Sequence, residues 1–154
     1  MTTNSKQTEQ HIVDQIANDC LAVRVRLLSR TITRIYDDAF RPMGITVGQM
    51  NILVSVAKRG PISPGEVARF LNMEKSTVSR NIDRMVKHGW LTVSEGESGR
   101  KQILALHRKG SKLLEKSLPL WKEAQSRATA VLGQRGAQSI HRIGNVVWAH
   151  LGSK

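Results

Sequence analysis

Residues 74–89, EKSTVSRNIDRMVKHG, hold the side chains of this 154-residue sequence whose types and spacing best fit a chemical role. One face of a helical repeat in this segment is apolar and consists of Val78, Ile82, Met85 and Val86. The other face carries hydroxyl and charged groups, namely Ser76, Thr77, Ser79, Arg80, Asp83, Arg84 and Lys87. An ordinary solvated face mixes both signs of charge, whereas this face is mostly basic. Gly89 is expected to end the helix by adopting a left-handed backbone conformation.

Hydroxyl groups beside arginines are typical of a surface that reads DNA in the major groove. The guanidinium of Arg80 can pair with O6 and N7 of guanine in a bidentate way, a contact worth about 1–3 kcal/mol of discrimination between bases. Arg84 and Lys87 are expected to meet phosphates, whereas Glu74 and Asp83 are expected to orient the basic side chains. The full set of predicted DNA contacts is Ser63, Lys75, Ser76, Thr77, Ser79, Arg80, Arg84, Lys87, Arg100 and Lys101.

The charge of the whole sequence also favours a polyanionic partner. Its formal net charge is +12, an excess that costs self-repulsion in the folded state. Ten Lys or Arg residues and four Asp or Glu residues fall within residues 69–112, so half of the excess lies in less than a third of the chain. Arg100 and Lys101 lie at the tip of a predicted hairpin, where a flexible loop can reach a neighbouring minor groove.

The elements before this segment are predicted to be helices. A helical repeat runs from about residue 10 to 41 with two apolar stripes, which predicts two buried faces, and residues 1–8 are expected to be frayed. Two capping boxes, Thr46 to Gln49 and Ser63 to Glu66, start two shorter helices. The predicted inward residues are Met50, Leu53, Val54 and Ala57 in the first of these and Val67, Ala68 and Leu71 in the second.

The second short helix and the basic helix are joined by a few residues around Asn72-Met73, which is a helix-turn-helix arrangement. After Gly89, Leu91 and Val93 alternate with polar residues in WLTVS, as in a β-strand. The segment EGESGRK supplies a turn, and QILALH fits a returning strand. A helix with a kink or restart at Pro119 is predicted from about residue 108 to 132, and a last helix follows Gly136. The predicted fold class is mostly α with a small β wing, a winged helix-turn-helix in the order α-α-α-α-β-β-α-α.

From residue 10 onward the sequence resembles the MarR family of bacterial transcriptional regulators. The resemblance lies in TRIYDDAFRPMGITVGQMNIL, SPGEVARFLNMEKSTVSRNIDRMVKHGWLT and RKQILALHRKG. The most specific part is STVSRNIDRMVKHGWL, and the ITVGQ turn is next. The sequence departs from the family in its wing, because Ser98-Gly99 stand where an Asp-Arg pair usually precedes the residue at Arg100. This departure weakens the case for minor-groove insertion by the wing.

The resemblance implies an intertwined homodimer in which helices from both chain ends pack together. Residues 1–45 and 108–154 would form the dimerisation region, and residues 46–107 would form the DNA-binding region. A symmetric dimer of this kind binds a pseudo-palindromic site in double-stranded DNA. Family members typically repress, and many release DNA when a small, often aromatic acid binds between the dimer helices and the DNA-binding lobe. A ligand-responsive repressor is therefore expected, with Trp121 and Trp148 in core or dimer packing.

Two other functions stay open as alternatives. One is a redox sensor that uses Cys20, the only cysteine, although Cys20 lies about two positions early compared with the hydroperoxide-sensing relatives. The other is a winged helix that binds protein or RNA, which predicts weak DNA affinity without sequence preference.

Enzymatic, metal-dependent and membrane functions are not indicated by the sequence. The five histidines are scattered, and Asp37 and Asp38 point about 100° apart on a helix, so neither a metal site nor a carboxylate pair is predicted. No cofactor is expected, and a single cysteine excludes a disulfide within the chain. Because no apolar run approaches the roughly 18 residues of a membrane span and no signal peptide is recognised, a cytoplasmic protein is expected.

Overall fold

The structure, a computed structural model, describes residues 2–96, 99 and 101–152. The helices in chain order are α1 Thr2–Asp19, α2 Leu21–Phe40, α3 Val47–Arg59, α4 Pro64–Phe70, α5 Lys75–Lys87 and α6 Arg108–Gly152. The strands β1 Leu91–Glu95 and β2 Gln102–Leu106 lie between α5 and α6 and form an antiparallel hairpin. The predicted fold class, mostly α with a small β wing, is confirmed. Of the predicted DNA contacts, Arg100 lies outside the described residues, as does Ser98 of the wing.

The chain folds as two units that divide between Arg34 and Ile35. In the first unit the single long helix of the prediction is two helices, because Cys20 leaves the helical path between α1 and α2. Arg24 Nη1 donates a hydrogen bond of 3.2 Å to the carbonyl oxygen of Cys20 at this break. Helical backbone begins at Thr2, rather than after the frayed segment that the sequence suggested.

One of the two apolar stripes, which includes Ile16, Val23 and Leu27, is exposed in the single chain, so its burial would need a partner and stays a prediction. The exposed large apolar side chains of this unit are Ile12, Val13, Ile16, Leu21, Val23, Val25 and Leu27. These side chains have no neighbours to cover them within their own unit, since the unit consists of little more than α1 and the first turns of α2.

The second unit holds the hydrophobic core. Its fully buried side chains are Phe40, Ile52, Leu53, Val56, Val67, Val78, Met85, Leu91 and Leu104. In α3, Leu53 is buried as predicted, but Val54 is 45% exposed and Ala57 is also exposed, whereas Ile52 and Val56 face the core. The prediction for α3 is wrong at these positions because apolar residues surround much of the helix, and two rotations satisfy the same spacing.

The predicted local signals at helix ends are confirmed. Thr46 and Gln49 form a reciprocal capping box at the start of α3, and Ser63 and Glu66 form another at the start of α4. Gly89 has a φ of 71° and ends the helix. Its N–H donates to the carbonyl oxygen of Val86, and the Trp90 N–H to that of Met85, both at 2.9 Å.

The hairpin pairs Leu91 with Leu106 and Glu95 with Gln102. Leu91 is buried, but Val93 is 39% exposed, so the predicted alternation of β1 does not persist toward the tip. A contact that the sequence did not predict adds a third segment, since Ile62 pairs with Leu104 through hydrogen bonds of 3.1 and 2.8 Å. The wing is thereby joined, at the middle of β2, to the loop before α4.

The last helix continues through Pro119, so the kink or restart predicted there is wrong. Within Arg108–Gly152 the residue with non-helical geometry is Gly133, at φ 69° and ψ 157°, where the sequence predicted the boundary between two helices. Glycine can adopt positive φ without steric cost. Across the described residues, no helix has the length and apolar character needed to cross a membrane.

Candidate nucleic-acid interface

Helices α4 and α5 form the helix-turn-helix, and the turn between them is tightly hydrogen-bonded. The Leu71 N–H donates to Val67 O at 2.9 Å, and the Met73 N–H donates to Ala68 O at 2.8 Å. Asn72 adopts a φ of 49°, a left-handed conformation that asparagine tolerates better than most residues. The turn therefore holds the start of α5 in a fixed position relative to the end of α4.

Three buried side chains fix the rotation of α5 about its axis. Val78 and Met85 are completely buried and Ile82 is 4% exposed, so this face of the helix is anchored in the core. The opposite face is consequently turned to solvent. Val86, the fourth predicted inward residue, is 36% exposed, because the last turn of α5 reaches the edge of the core. That part of the prediction is wrong.

The structure brings most of the predicted DNA-contacting side chains of α5 onto this outer face. The exposed members are Lys75, Ser76, Ser79, Arg80, Arg84 and Lys87. Thr77 is half-buried, and its hydroxyl lies at 3.5 Å from Arg80 Nη2, the outer limit of a hydrogen bond. Small hydroxyls at the start of the helix and basic side chains further along are thus presented together.

The basic side chains of α5 have no acidic partner among the residues that the structure describes. The ion pairs in that part of the chain are Arg41–Asp38 and Arg127–Glu123. Neither Glu74 nor Asp83 pairs with a basic side chain of α5, so the predicted orienting role of these acids is not observed. The exposed guanidinium and ammonium groups of α5 are accordingly available to an external anion.

Ser63, also predicted to contact DNA, is occupied within the chain. Its hydroxyl donates to Glu66 Oε2 at 2.6 Å and accepts from the Glu66 N–H at 3.3 Å. The hydrogen bond from the Ser63 hydroxyl is the largest cause of a lowered pKa at Glu66, and the charges of Arg69 and Lys101 contribute in the same direction. The start of α4 therefore lies within electrostatic range of Lys101 at the tip-proximal end of β2.

The wing places Lys101 in an exposed position directly before β2. The contact between Ile62 and Leu104 holds the middle of β2, and sequence reasoning missed it. Its signal was Ile62 itself, an apolar residue between Pro61 and Pro64 in an otherwise polar loop. An isolated apolar residue in such a loop indicates that the loop is pinned to a neighbouring element.

The sequence model of the MarR family matches residues 43–102. This range begins just before α3 and ends at the first residue of β2. The chain contains a MarR-family domain. Members of this family are transcription regulators rather than enzymes.

Known proteins resemble the chain over more than this domain. The chain is 28% identical to the uncharacterised HTH-type transcriptional regulator YwoH of Bacillus subtilis over 98 residues. These aligned residues cover 64% of this chain and 72% of YwoH. The crystal structure of Mycobacterium tuberculosis MosR in complex with DNA is similar with a TM-score of 0.71 at 29% identity, covering 85% of this chain and 98% of that one.

A third similar structure is that of a mutant Escherichia coli MarR complexed with operator DNA. Its TM-score is 0.76 at 19% identity, and the match covers 86% of this chain and 96% of that one. At this level of identity the similarity establishes the fold alone.

The other candidate groups of the chain give no comparable surface. Cys20 lies half-buried at the break between α1 and α2, outside residues 43–102. Within the described part of the chain, no three His, Cys, Asp or Glu side chains lie close enough together to hold a metal ion. The exposed face of α5 is therefore the feature that most clearly fits a binding function.

Proposed function

We propose that this MarR-family protein is a transcriptional regulator that binds a pseudo-palindromic operator in double-stranded DNA as a homodimer. The observation that carries the proposal is the orientation of α5, with Val78, Ile82 and Met85 in the core and a basic hydroxyl-bearing face in solvent. In a helix-turn-helix the second helix lies in the major groove with its first residues at the base edges. Helix α5 is that second helix.

The proposed roles follow the position of each side chain along α5. Arg80 reads a guanine edge, with Ser76, Thr77 and Ser79 close to the groove floor, where short side chains are required. Arg84 and Lys87 bind phosphates, which fix position on the duplex without reading sequence. The remaining proposed DNA contacts are Ser63, Lys75, Arg100 and Lys101, the last two at the predicted tip of the wing.

Selection of bound sequences from random duplex DNA tests the proposal, followed by binding assays with variants on the selected site. Arg80→Ala should lose about 1–3 kcal/mol of discrimination at one base pair of each half-site. Arg84→Ala should weaken all sequences alike and lower the log-log salt slope by about 0.9 for each phosphate that the variant no longer neutralises.

Arg135→Ala is the matched control, since it removes the same charge from an exposed position on α6 beyond Gly133. It should leave sequence preference unchanged. If Arg80→Ala bound the selected site with the parent's affinity and preference, the assignment of α5 as recognition helix would be wrong. A parent protein that bound all duplexes weakly and equally would favour the protein- or RNA-binding alternative instead.

The homodimer is proposed because apolar side chains near both ends of the chain are exposed. In the second unit the exposed large apolar side chains of α6 that support a dimer are Leu118, Trp121, Val131, Ile140, Ile143, Val146 and Val147. Apolar surface on this scale usually marks an interface between proteins. Residues 1–45 and 108–154 are the proposed dimerisation region, and residues 46–107 the DNA-binding region. Sedimentation equilibrium should give twice the chain mass, and a monomer at micromolar concentration would contradict this assignment.

A repressor that responds to a small aromatic acid is the finer form of the proposal. An acid of this kind must bind the DNA-incompetent state better than the DNA-bound state in order to release DNA. Titrating small aromatic carboxylates into the complex with the selected site tests this, with acetate as the control anion. Peroxide treatment of the same complex tests the redox alternative, which requires DNA release in the parent and none in Cys20→Ser. The cytoplasmic location stays a prediction.

A further inference from the structure

Three side chains from three helices form a stack at the end of α4. The guanidinium carbon of Arg59, the last residue of α3, lies 3.9 Å from the ring centroid of Phe70. Phe70 is the last residue of α4, and its ring is stacked with that of Trp148 at 5.9 Å between centroids and 11° between planes. Trp148 lies in α6 after the break at Gly133 and is 54% exposed. The stack therefore joins the distal part of α6 to the helix-turn-helix.

The position of Phe70 makes this contact mechanically significant. Phe70 directly precedes the turn to α5, and the turn is held to α4 by the hydrogen bonds of Leu71 and Met73. A hydrogen-bonded turn with a left-handed residue at Asn72 has little freedom to bend. A shift of α4 is therefore passed on to α5, and whatever restrains Phe70 also restrains the recognition helix.

We infer that Trp148 is a positioning residue for DNA recognition: by stacking on Phe70 of its own chain, it fixes the direction in which α5 is presented. This inference rests on the proposed function and adds to it a part of the chain that makes no DNA contact. A homodimer binds two half-sites at a set spacing. Because the distal part of α6 belongs to the proposed dimerisation region, that spacing requires each recognition helix to keep its position relative to the distal α6 of its own chain. Without the stack, α5 can take more positions relative to the distal α6. Binding to a full operator would have to restrict these positions again, which weakens the affinity for the operator.

The test compares Trp148→Leu with Trp148→Phe on three duplexes: the selected operator, the operator with one base pair inserted between its half-sites, and a single half-site. An aromatic pair of this kind limits the effect to about twofold to tenfold in affinity. Trp148→Leu should bind the operator more weakly within that range and discriminate less against the inserted base pair. Its affinity for the half-site should be unchanged, and Trp148→Phe should restore the behaviour of the parent.

Val54→Ala is the control, because Val54 is an apolar side chain of α3 that is 45% exposed and lies outside both the stack and the proposed dimerisation region. It should leave the spacing preference unchanged. A double-mutant cycle with Phe70→Leu and Trp148→Leu, measured by urea unfolding, tests the contact without DNA, and the two changes should be less than additive.

Each remaining outcome has a definite meaning. Equal spacing preference in Trp148→Leu and the parent would overturn the inference, as would additive effects in the cycle. Loss of the dimer in Trp148→Leu by sedimentation would also overturn it, because Trp148 would then act at the dimer interface rather than on α4. Failure of the parent to prefer any DNA sequence would refute the proposed function, and the inference would fall with it.

Discussion

Gly110 offers a sharp test of how the wing is joined to α6. It is buried in the first turn of α6, where alanine would ordinarily favour the helix by about 0.5–1 kcal/mol over glycine. A Cβ at Gly110 would lie 2.2 Å from the carbonyl oxygen of Trp90 and 2.9 Å from Leu106 Cδ1. Gly110→Ala is therefore expected to destabilise the protein despite its better helix propensity.

The size of the destabilisation depends on which of the two neighbours, Trp90 or Leu106, can move away from the added Cβ. The Leu106 side chain can rotate, but the backbone at Trp90 is held, since its N–H donates to Met85 O at 2.9 Å and its carbonyl accepts from the His107 N–H at 3.0 Å. Overpacking of a core costs about 1–3 kcal/mol, and an obstacle of fixed backbone places this change toward the upper end. After the helix gain is subtracted, a net loss of about 2 kcal/mol is expected, or about 4–8 °C in Tm.

Urea unfolding followed by circular dichroism measures this loss, and the slope of free energy against urea should be unchanged. Gly48→Ala is the control, since the nearest atom to its Cβ, Thr46 Oγ1, is 3.9 Å away and Gly48 also lies in the first turn of a helix. It should be as stable as the parent or slightly more stable. If Gly110→Ala were as stable as the parent, the first turn of α6 would not pack against the backbone of Trp90.

Three further changes test the caps and the half-buried Tyr36. Thr46→Ala should lower the free energy of unfolding by about 1 kcal/mol through loss of the α3 cap, and Thr46→Ser should restore most of it; a neutral alanine variant would contradict the capping role. The Ser63 hydrogen bonds lower the pKa of Glu66, so its contribution to stability is present above the pKa of an unfolded glutamate and is lost as pH falls through the lower folded value. Glu66→Gln should flatten that acid limb of an unfolding profile. Burial raises the pKa of Tyr36, whose hydroxyl donates to Gln125, so stability should fall as pH rises above about 10, and Tyr36→Phe should remove this alkaline fall.

Signals confined to a few neighbouring residues were predictable from the sequence. The capping boxes at Thr46 and Ser63 depend on side chains three residues apart, and the helix end at Gly89 depends on the conformation of one residue. The wing hairpin was predictable for the same reason, because its strands are separated by a short glycine-containing turn. In each case the interacting groups are close in sequence, so no distant contact can easily override them.

Features set by distant contacts were not predictable. Helix α3 is apolar on several sides, and only its neighbours decide that Ile52 faces the core while Val54 does not. The pairing of Ile62 with Leu104 joins segments 42 positions apart, and no local pattern specifies it. The break at Cys20 likewise follows no proline or glycine, so the continuous apolar repeat concealed it.

The candidate site was predictable to the extent that the core fixes it. Because Val78 and Met85 are anchored, the outer face of α5 follows from the helical period alone, and Arg80 and Arg84 are exposed as expected. The sequence did not predict that the Ser63 hydroxyl donates a hydrogen bond to Glu66 and is therefore less available to DNA. Predicting an exposed polar face is thus easier than predicting which of its groups remain free to bind.

The excess of positive charge should make stability and DNA binding respond to salt in opposite directions. The formal net charge is +12, and the ion pairs in the described part of the chain are Arg41–Asp38 and Arg127–Glu123, neither of them on α5. Screening of like charges should therefore raise the free energy of unfolding of the DNA-free protein as salt increases. The same salt should weaken operator binding through the loss of counterion release. If stability did not rise, the basic side chains would have to be neutralised within the protein, and the face of α5 would not be open to phosphates.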